Sequence, residues 1–566
     1  MKCWSYCLIS QLALVAEPSN AISPAVSDNE YTSQLFMGTQ ARSISNNQDY
    51  EYATAPVSRI QEALRVMQDE YFEIWIGAWP TAIDWTAAVV NTAVTSTLTT
   101  LSGYLYGIWR TDHSDQLKIV AIEDQINLYF AHNTAFYFAE NAFNIRNEAY
   151  DDMLWVVLGW LENVKFINEY SELRKERLQT GCAWHGAQYI AAFSHRARVF
   201  YDLASHGWDT KLCGGGMTWN PHLVPYKNAI TNQLFISASI GMYLYSPGDD
   251  NGSPYLANGE GGSGHIPAKP HDERYLNAAI DAYAWLKHSN MTNELGLYVD
   301  GFHITDWSRK NTTGTGLCDE RNAMVLTYNQ GVILSGLRGL WNATGETKYL
   351  EDGHQLVQNV MNATGWRGSD EITMHAADNQ WQGLGRAGIL EDYCDHTGEC
   401  SQDSQTFKGI YFDHLIRFCQ PLPRRFAGQD LVVLHRQSCL AYGIWAEHNA
   451  QGALRNRDRR GRFGSFWGDL SATETSVELP IGAVDYRNDK EILGMEAWSG
   501  LSVSMVAQAE GRNHPLDFLE NKVQDTDQSA GTLDANGIND RGRGRTVETQ
   551  SSGLSVLRAS WELNNL

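Results

Sequence analysis

Hydrophobic and polar residues recur with a helical period along most of this chain. Residues 58–76 place charged side chains such as Arg59 and Glu62 on one face, which predicts an amphipathic helix that covers a core. Residues 150–169 are apolar on nearly every side, which predicts a helix buried among others. Strand-like alternation is rare. The pattern predicts helices near residues 58–76, 82–107, 123–145, 150–169, 183–204, 226–247, 272–291, 324–343, 346–364, 406–419, 430–449 and 489–510.

Twelve helices make six helical hairpins, and buried helices inside amphipathic ones would form an inner and an outer ring. We therefore predict an all-α fold, an (α/α)6 barrel. A helical solenoid would show similar alternation, although no repeat of fixed period is apparent. The expected organisation is a secretory signal at residues 1–21, a flexible lead-in at 22–57, the barrel domain at 58–510 and a disordered tail at 511–566.

The N-terminus reads as a secretory signal. Lys2 supplies a positive charge, an apolar stretch follows, and cleavage is plausible near Ala16 or Ala21. N-glycosylation sequons support a secreted, extracellular or cell-wall protein. They begin at Asn251, Asn290, Asn311, Asn342 and Asn362.

Removing the signal would leave an odd number of cysteines, so at least one thiol would be free or paired between chains. Cys394 and Cys400 flank a short loop and are predicted to form a disulfide. The cysteine spacings do not resemble a zinc site, and we expect no metal and no cofactor. The seven remaining cysteines are Cys182, Cys213, Cys318, Cys394, Cys400, Cys419 and Cys439.

Composition narrows the range of partners. The 566 residues are 43% hydrophobic and 19% charged, which is typical of a soluble globular protein. The net charge of −23 and the pI near 5.1 argue against nucleic acid as a partner. The 19 tryptophans suit a sugar-binding cleft, and equally an aromatic core. We expect a monomer, and peripheral association with a cell wall or membrane is compatible with the sequence, which shows no GPI-anchor signal at its C-terminus.

Asp151 and Asp152 are adjacent acids at the start of the apolar stretch 150–169. Burial and mutual repulsion would keep one carboxyl protonated beside an ionised one, which is the arrangement that glycoside hydrolysis needs. Neighbouring helical residues suit the short carboxyl spacing of retaining enzymes better than the longer spacing of inverting ones. The alternative is ordinary capping, because acids are favoured in the first turn of a helix.

Further candidates follow the glycines after Cys213. Trp219 offers a face on which a sugar could stack, and Asn220, Lys227 and Asn228 offer donors for hydroxyl groups. Three consecutive glycines allow a tight turn and a close backbone approach to a ligand. A glycine turn followed by a capped helix is the structural alternative, and it is the favoured one for Lys227.

Other candidates lie in separate segments. Asp300 precedes a glycine, which ordinarily marks a turn, and Asn329 is a helix cap or a hydroxyl ligand. Lys408 near a helix start opposes the helix dipole, which favours a role outside the helix. Trp79 and Trp85 bracket another helix start, where core packing is the default and sugar binding the alternative.

Five of these motifs together resemble glycoside hydrolase family 76, in the order in which they occur there. The chain is similar to the fungal endo-α-1,6-mannanases of that family over residues 58–510, although the Arg-rich segment 454–462 and the tail after residue 520 depart from it. The motifs are Tyr150-Asp-Asp-Met, Cys213-Gly-Gly-Gly-Met-Thr-Trp-Asn, Tyr226-Lys-Asn-Ala-Ile-Thr-Asn-Gln-Leu-Phe, Thr327-Tyr-Asn-Gln-Gly and Phe407-Lys-Gly-Ile.

The resemblance implies an (α/α)6 barrel and a retaining mechanism, with Asp151 as the nucleophile and Asp152 as the general acid and base. It also implies substrate contacts at Trp219, Asn220, Asp300, Tyr328 and Asn329. The expected function is a secreted endo-acting hydrolase that cleaves α-1,6-mannosidic linkages in mannan or a related mannose-containing glycan. The alternatives are a cell-wall transglycosidase on the same fold and a mannan-binding protein without catalysis.

Overall fold

The computed structural model describes residues 56–111, 116–179, 184–251, 268–368, 380–423, 427–470, 477, 479–488 and 537–566. These residues form twelve helices of three or more turns. They are α1 (Pro56–Tyr71), α2 (Asp84–Thr111), α3 (Gln116–Ala139), α4 (Tyr150–Leu178), α5 (Ile190–Ser205), α6 (Ala229–Tyr245), α7 (Glu273–His288), α8 (Tyr328–Thr344), α9 (Lys348–Ala363), α10 (Phe407–Phe418), α11 (Gln429–Arg455) and α12 (Val547–Asn564).

The helices pack in two rings. The even-numbered helices form the inner ring, in which each contacts the next and α12 packs against α2, so the ring is closed. The odd-numbered helices lie outside, each against an inner neighbour. Burial follows this arrangement, because α6 buries every residue from Ala229 to Met242, whereas α9 buries only a stripe that includes Tyr349, Leu356 and Val360. The predicted (α/α)6 barrel is confirmed.

Eleven of the twelve predicted helices have a counterpart in the structure, with ends that differ by up to nine residues, as at the end of α4, which was predicted at 169 and lies at Leu178. The predicted helix at 489–510 lies outside the described residues, as do the predicted signal, the lead-in up to residue 55 and the tail between 511 and 536. The sixth inner helix is α12 instead. The odd cysteine, Cys182, also lies outside the described residues.

The prediction of a disordered tail is wrong for residues 537–566. The helix α12 is buried along most of its length, with Leu554 fully inaccessible. The prediction failed because many polar residues of α12 are buried inside the barrel, where they bind partners, and are not exposed to solvent. Glu548 accepts a hydrogen bond of 2.7 Å from the Thr86 hydroxyl, and Arg558 forms a 2.6 Å ion pair with Asp413.

A small sheet joins the loops at one end of the barrel. The strands β1 (Lys227–Asn228), β2 (Gly301–His303) and β3 (Glu320–Asn322) pair antiparallel in that order. Gly301 faces Asn228 so closely that a Cβ atom would lie 2.7 Å from the Asn228 Cα, so only glycine fits there. A second antiparallel pair consists of β4 (Gly385–Arg386) and β5 (Ile389–Leu390).

Three disulfides fix loops and helix ends. The predicted Cys394–Cys400 disulfide is confirmed, and the other two join Cys213 to Cys318 and Cys419 to Cys439. Among the helices that the structure describes, none combines the length and the apolar character that a membrane span requires.

Candidate active site

The loops that precede α4, α6 and β2 meet at one end of the barrel. The Tyr150 amide donates to the Trp219 carbonyl at 2.9 Å, and the Trp219 amide donates to the Tyr226 carbonyl at 2.8 Å. The Ala229 amide donates to the Asp300 carbonyl at 2.7 Å. This chain of backbone bonds therefore brings the predicted aspartate pair, the glycine-rich segment and Asp300 to the same place.

Asp151 and Asp152 lie in the first turn of α4, where carboxylates interact favourably with the helix dipole. Asp151 is 3% exposed and Asp152 is half-buried. The Asp152 amide donates to Asp151 Oδ1 at 3.2 Å, and the Ala149 amide donates to Asp152 Oδ2 at 3.0 Å. Asp152 thus performs the capping role that the sequence left open, and this role uses one oxygen of its carboxyl.

The surroundings of the two carboxyls differ. Burial raises the pKa of Asp151, but the Arg487 charge, two backbone amides and a hydrogen bond with Trp219 oppose the rise. Burial raises the pKa of Asp152 well above its usual value, and the negative charges of Asp151 and Glu148 raise it further. These surroundings favour the proton on Asp152 and the negative charge on Asp151.

Glu148 is a third carboxyl at this site, and the sequence reasoning missed it. Burial raises the pKa of Glu148 to about 8, and the charge of Asp84 together with a hydrogen bond between the two side chains adds to the rise. Glu148 lies three residues before Asp151, a spacing that places two residues on the same face of a helix. The helix begins only at Tyr150, however, so this spacing did not identify Glu148.

Arg487 was also missed. It lies in the segment 479–488, which is anchored on one side by a 2.8 Å bond from the Val484 amide to Asn322 Oδ1. The Arg487 guanidinium carbon lies 5.6 Å from the centre of the Trp219 ring, and its Nη2 is 3.5 Å from the Tyr328 hydroxyl. No local pattern marks this arginine, because tertiary contacts alone bring it to the site.

Asp300 has a fixed position beside this group. The Tyr226 hydroxyl donates to Asp300 Oδ2 at 2.6 Å, Asn322 Nδ2 donates to the same oxygen at 3.3 Å, and Asn329 Nδ2 donates to Oδ1 at 3.4 Å. Burial raises the pKa of Asp300, while the hydrogen bond from Tyr226 and the charge of Arg487 lower it. Asp300 and Asn329 thus lie near the aspartate pair.

Two other predicted residues also lie near this site. Trp219 is half-buried and contacts both Asp151 and Arg487. The Tyr328 ring stacks on Phe407 with centroids 3.8 Å apart, which directs its hydroxyl toward Arg487. The structure therefore brings Asp151, Trp219 and Tyr328 together around one arginine.

Asn220 and Asn228 are buried in the loops beside this group. Asn220 Oδ1 accepts from the His222 amide at 2.8 Å, as expected in a turn. Asn228 precedes α6, and its carbonyl accepts from Asn232 Nδ2 at 2.8 Å. Their contact with substrate stays a prediction.

The structure gives Lys227, Lys408 and Trp79 partners inside the fold, which for Lys227 and Trp79 agrees with the structural interpretation favoured from the sequence. Lys227 is fully buried, and its Nζ donates to the Gly216 carbonyl and to the Asp209 carbonyl. The Lys408 side chain is 2% exposed and forms a 2.7 Å ion pair with Asp395.

Trp79 is 2% exposed, and its indole nitrogen donates to Gln68 Oε1 at 3.0 Å. Its ring packs against Phe72 and Phe136, with centroids 5.1 Å away in each case. It is therefore a core residue, which was the default interpretation of its position.

Comparison with known proteins identifies a related family. The family model "Glycosyl hydrolase family 76" matches residues 268–449. The resemblance to that family is confirmed. The matched segment contains Asp300, Tyr328, Asn329 and Lys408, whereas the aspartate pair lies before it.

Two curated relatives are from Saccharomyces cerevisiae. Mannan endo-1,6-alpha-mannosidase DFG5 is 26% identical over 222 residues, which is 38% of this chain and 36% of the relative. Mannan endo-1,6-alpha-mannosidase DCW1 is 22% identical over 221 residues, which is 38% of this chain and 37% of the relative. This chain therefore matches little more than a third of the length of the curated relatives.

The GH76A alpha-1,6-mannanase from Salegentibacter sp. HEL1_6 is a solved structure with a low level of similarity. It is 17% identical, with a TM-score of 0.45, and the alignment covers 90% of this chain and 100% of that one. This similarity is too low to support the assignment of the fold. The assignment of the barrel rests on the helix contacts described above.

Proposed function

We propose that this protein is a retaining glycoside hydrolase that acts inside chains of α-1,6-linked mannose. The observation that carries the proposal is the adjacent pair in the first turn of α4, where Asp151 is buried, Asp152 is half-buried and their surroundings favour ionisation of Asp151. The similarity to the family 76 model and to proteins named mannan endo-1,6-alpha-mannosidase supports the choice of substrate.

In the first step, the Asp151 carboxylate attacks the anomeric carbon while the bond to the glycosidic oxygen breaks. Asp152 gives its proton to that leaving oxygen, so a mannosyl ester of Asp151 and a shortened glycan result. In the second step, Asp152 takes a proton from water as the water oxygen attacks the same carbon and releases Asp151. The two inversions together retain the anomeric configuration.

The surrounding residues suit a sugar ring. Trp219 presents an aromatic face, and Asp300 with Asn329 presents oxygen and nitrogen atoms that could bind hydroxyl groups. We place the substrate against these residues, with the scissile bond above the aspartate pair.

The test is turnover of linear α-1,6-mannan by the purified full chain. We expect mannose oligosaccharides from the wild type, and a fall of about 10³-fold or more for Asp151→Asn and for Asp152→Asn. Asp430 is a matched control, because it is an exposed aspartate in the first turn of α11, and Asp430→Asn should leave turnover unchanged. A folded wild-type protein that releases no oligosaccharide would refute hydrolysis.

Product analysis completes this test. Proton NMR of the first product should show the α anomer, and a β anomer would contradict retention. Adding a labelled mannose oligomer shows whether sugar competes with water for the mannosyl ester. Binding of mannan by a wild type without turnover would favour the non-catalytic alternative.

We also propose that the protein passes through the secretory pathway. Three disulfides are typical of proteins that fold in an oxidising compartment. The chain expressed with its own N-terminus should appear in the medium of a eukaryotic host and shift in mass on removal of N-glycans. Retention inside the cell without glycans would contradict this.

A further inference from the structure

We propose that Arg487 is a positioning residue that keeps the negative charge of the aspartate pair on Asp151, so that Asp151 and Asp152 have different roles. This inference rests on the proposed function for its catalytic meaning. It concerns a residue outside the segment matched by the family model, which ends at residue 449.

Arg487 is held in place by its own segment rather than by a helix. Two hydrogen bonds join Val484 to Asn322. The Val484 amide donates to Asn322 Oδ1 at 2.8 Å, and Asn322 Nδ2 donates to the Val484 carbonyl at 3.0 Å. Beyond Arg487, Asn488 Oδ1 accepts from the Ser401 amide at 2.7 Å. The segment is therefore fixed to the sheet on one side and to the loop before α10 on the other.

The charge of Arg487 acts on several carboxylates at once. It interacts with the charges of Asp403, Asp151 and Asp300. Asp300 has three hydrogen-bond donors of its own, and Asp403 accepts from the Trp85 indole at 2.8 Å. Asp151 is the one of the three that the proposed mechanism requires as a nucleophile.

Arg487 and Asp151 share Trp219 as a neighbour. The Arg487 guanidinium carbon lies 5.6 Å from the centre of the Trp219 ring, and the Trp219 side chain forms a hydrogen bond with Asp151. Asp152 accepts instead from the Ala149 amide at 3.0 Å. Among the interactions that lower the pKa of Asp151, the Arg487 charge is the largest, so this side chain favours ionisation of Asp151.

Other titratable groups around the pair must be considered in any pH experiment. Glu148 and Asp84 face it from the loops before α4 and α2, and Asp300 faces it from β2. The Tyr328 hydroxyl faces it from α8, and burial raises the pKa of that group far above the working range. Asp485 contributes a further negative charge close to Asp300. The Arg487 charge lowers the pKa of both Asp151 and Asp152.

The first test is the pH profile of kcat/KM on linear α-1,6-mannan. In Arg487→Gln we expect the acidic limb to move to higher pH by about one unit, because Asp151 loses its cationic neighbour. At a pH well below the limb, kcat/KM should fall by up to about tenfold as a result. Arg487→Lys should restore the position of the limb, since it restores the charge.

Arg460→Gln is the matched control for this test. Arg460 is an arginine whose side chain is 60% exposed and pairs with Glu70, so its removal should leave the profile in place. An acidic limb that does not move in Arg487→Gln would overturn the proposal, even where the overall rate is lower.

The second test needs no substrate. Thermal unfolding is measured for the wild type, Asp151→Asn, Arg487→Gln and the double variant, at pH 4 and at pH 7.5. Burial raises the pKa of Asp151, so its ionisation costs stability as pH rises through that pKa, and Asp151→Asn removes the cost. At pH 7.5, Asp151→Asn should raise Tm more in the Arg487→Gln background than in the wild-type background. The difference between these two gains should be smaller at pH 4.

The outcomes separate the two proposals. Equal gains in Tm in both backgrounds at pH 7.5 would overturn the role of Arg487, whatever the activity. A larger gain in a protein that does not cleave mannan would support the charge assignment and refute the hydrolase. A purely structural Arg487 would lower Tm in every variant by a similar amount.

Discussion

Asp413 and Asp151 are both buried aspartates on inner helices, yet their neighbours act on them in opposite directions. Asp413 on α10 forms 2.6 Å ion pairs with Arg417 and with Arg558. Burial alone would raise the pKa of Asp413, but the two arginines outweigh it and hold the pKa well below its usual range. At Asp151 the effect of burial prevails over the opposing charge of Arg487, and the pKa of Asp151 is raised.

The difference separates two sets of charges. The first set, Asp413 with Arg417 and Arg558, stabilises the barrel. The second set, the Asp151–Asp152 pair with Arg487, can do chemistry. A carboxylate with two bonded cations stays ionised, and removing either partner leaves a buried charge uncompensated. A carboxyl pair with too little positive charge exchanges protons near neutral pH, which is what an acid–base mechanism uses. Substitutions in the first set should therefore change stability, and substitutions in the second should change turnover and its pH dependence.

Removing α12 should give the largest effect, because it removes Arg558 and opens the inner ring. A chain truncated after residue 546 should lose cooperative unfolding, measured by circular dichroism during heating. The control is removal of Leu566 alone, whose carbonyl accepts from the exposed Arg436 at 3.0 Å. A truncated chain that melts like the control would show that the first set is dispensable.

Replacing Arg558 alone should have a smaller effect of the same kind. Arg558→Met leaves Asp413 buried with one cation, and we expect a loss of about 3–5 kcal/mol in the free energy of unfolding at pH 7, measured with urea. Because the pKa of Asp413 is lowered in the folded state, its contribution is present above the unfolded value and declines as pH falls below about 4. The gap between variant and wild type should therefore narrow in acid.

The control for this measurement is Arg460→Met, which removes an exposed ion pair with Glu70 and should cost at most about 1 kcal/mol. If the loss in Arg558→Met matched that of the control, Asp413 would not depend on its cations. Turnover of the remaining folded protein should stay at the wild-type level, because Asp413 belongs to the first set.

The same contrast explains what could be predicted from the sequence. Periodicity predicted the barrel and eleven helices, because outer helices such as α9 bury a regular stripe. It failed for α12, where Ser551, Ser555 and Arg558 are polar and nevertheless buried. A polar residue in an inner ring is recognisable only from its partner, and the partner is distant in the sequence.

The candidate site shows the same limit. The adjacent acids and the motifs around Trp219, Asp300 and Tyr328 were predicted, since each lies in a conspicuous local pattern. Glu148 and Arg487 were missed, because their environment depends on burial and on tertiary contacts. Lys227 and Lys408 were candidates for substrate binding because the sequence does not reveal their partners in the fold, which are a backbone carbonyl for Lys227 and the Asp395 carboxylate for Lys408.

Glu148 offers the smallest and most specific effect. Below the pKa of about 8 Glu148 is protonated, so Glu148→Gln should leave turnover on mannan near the wild-type level at pH 6. Above it, ionised Glu148 helps to keep the proton on Asp152, and the neutral glutamine cannot do so. The alkaline limb of kcat/KM should therefore move to lower pH, by less than about one unit. Asp430→Asn again serves as the control, and an alkaline limb that moved to higher pH instead would contradict the assignment of the proton to Asp152.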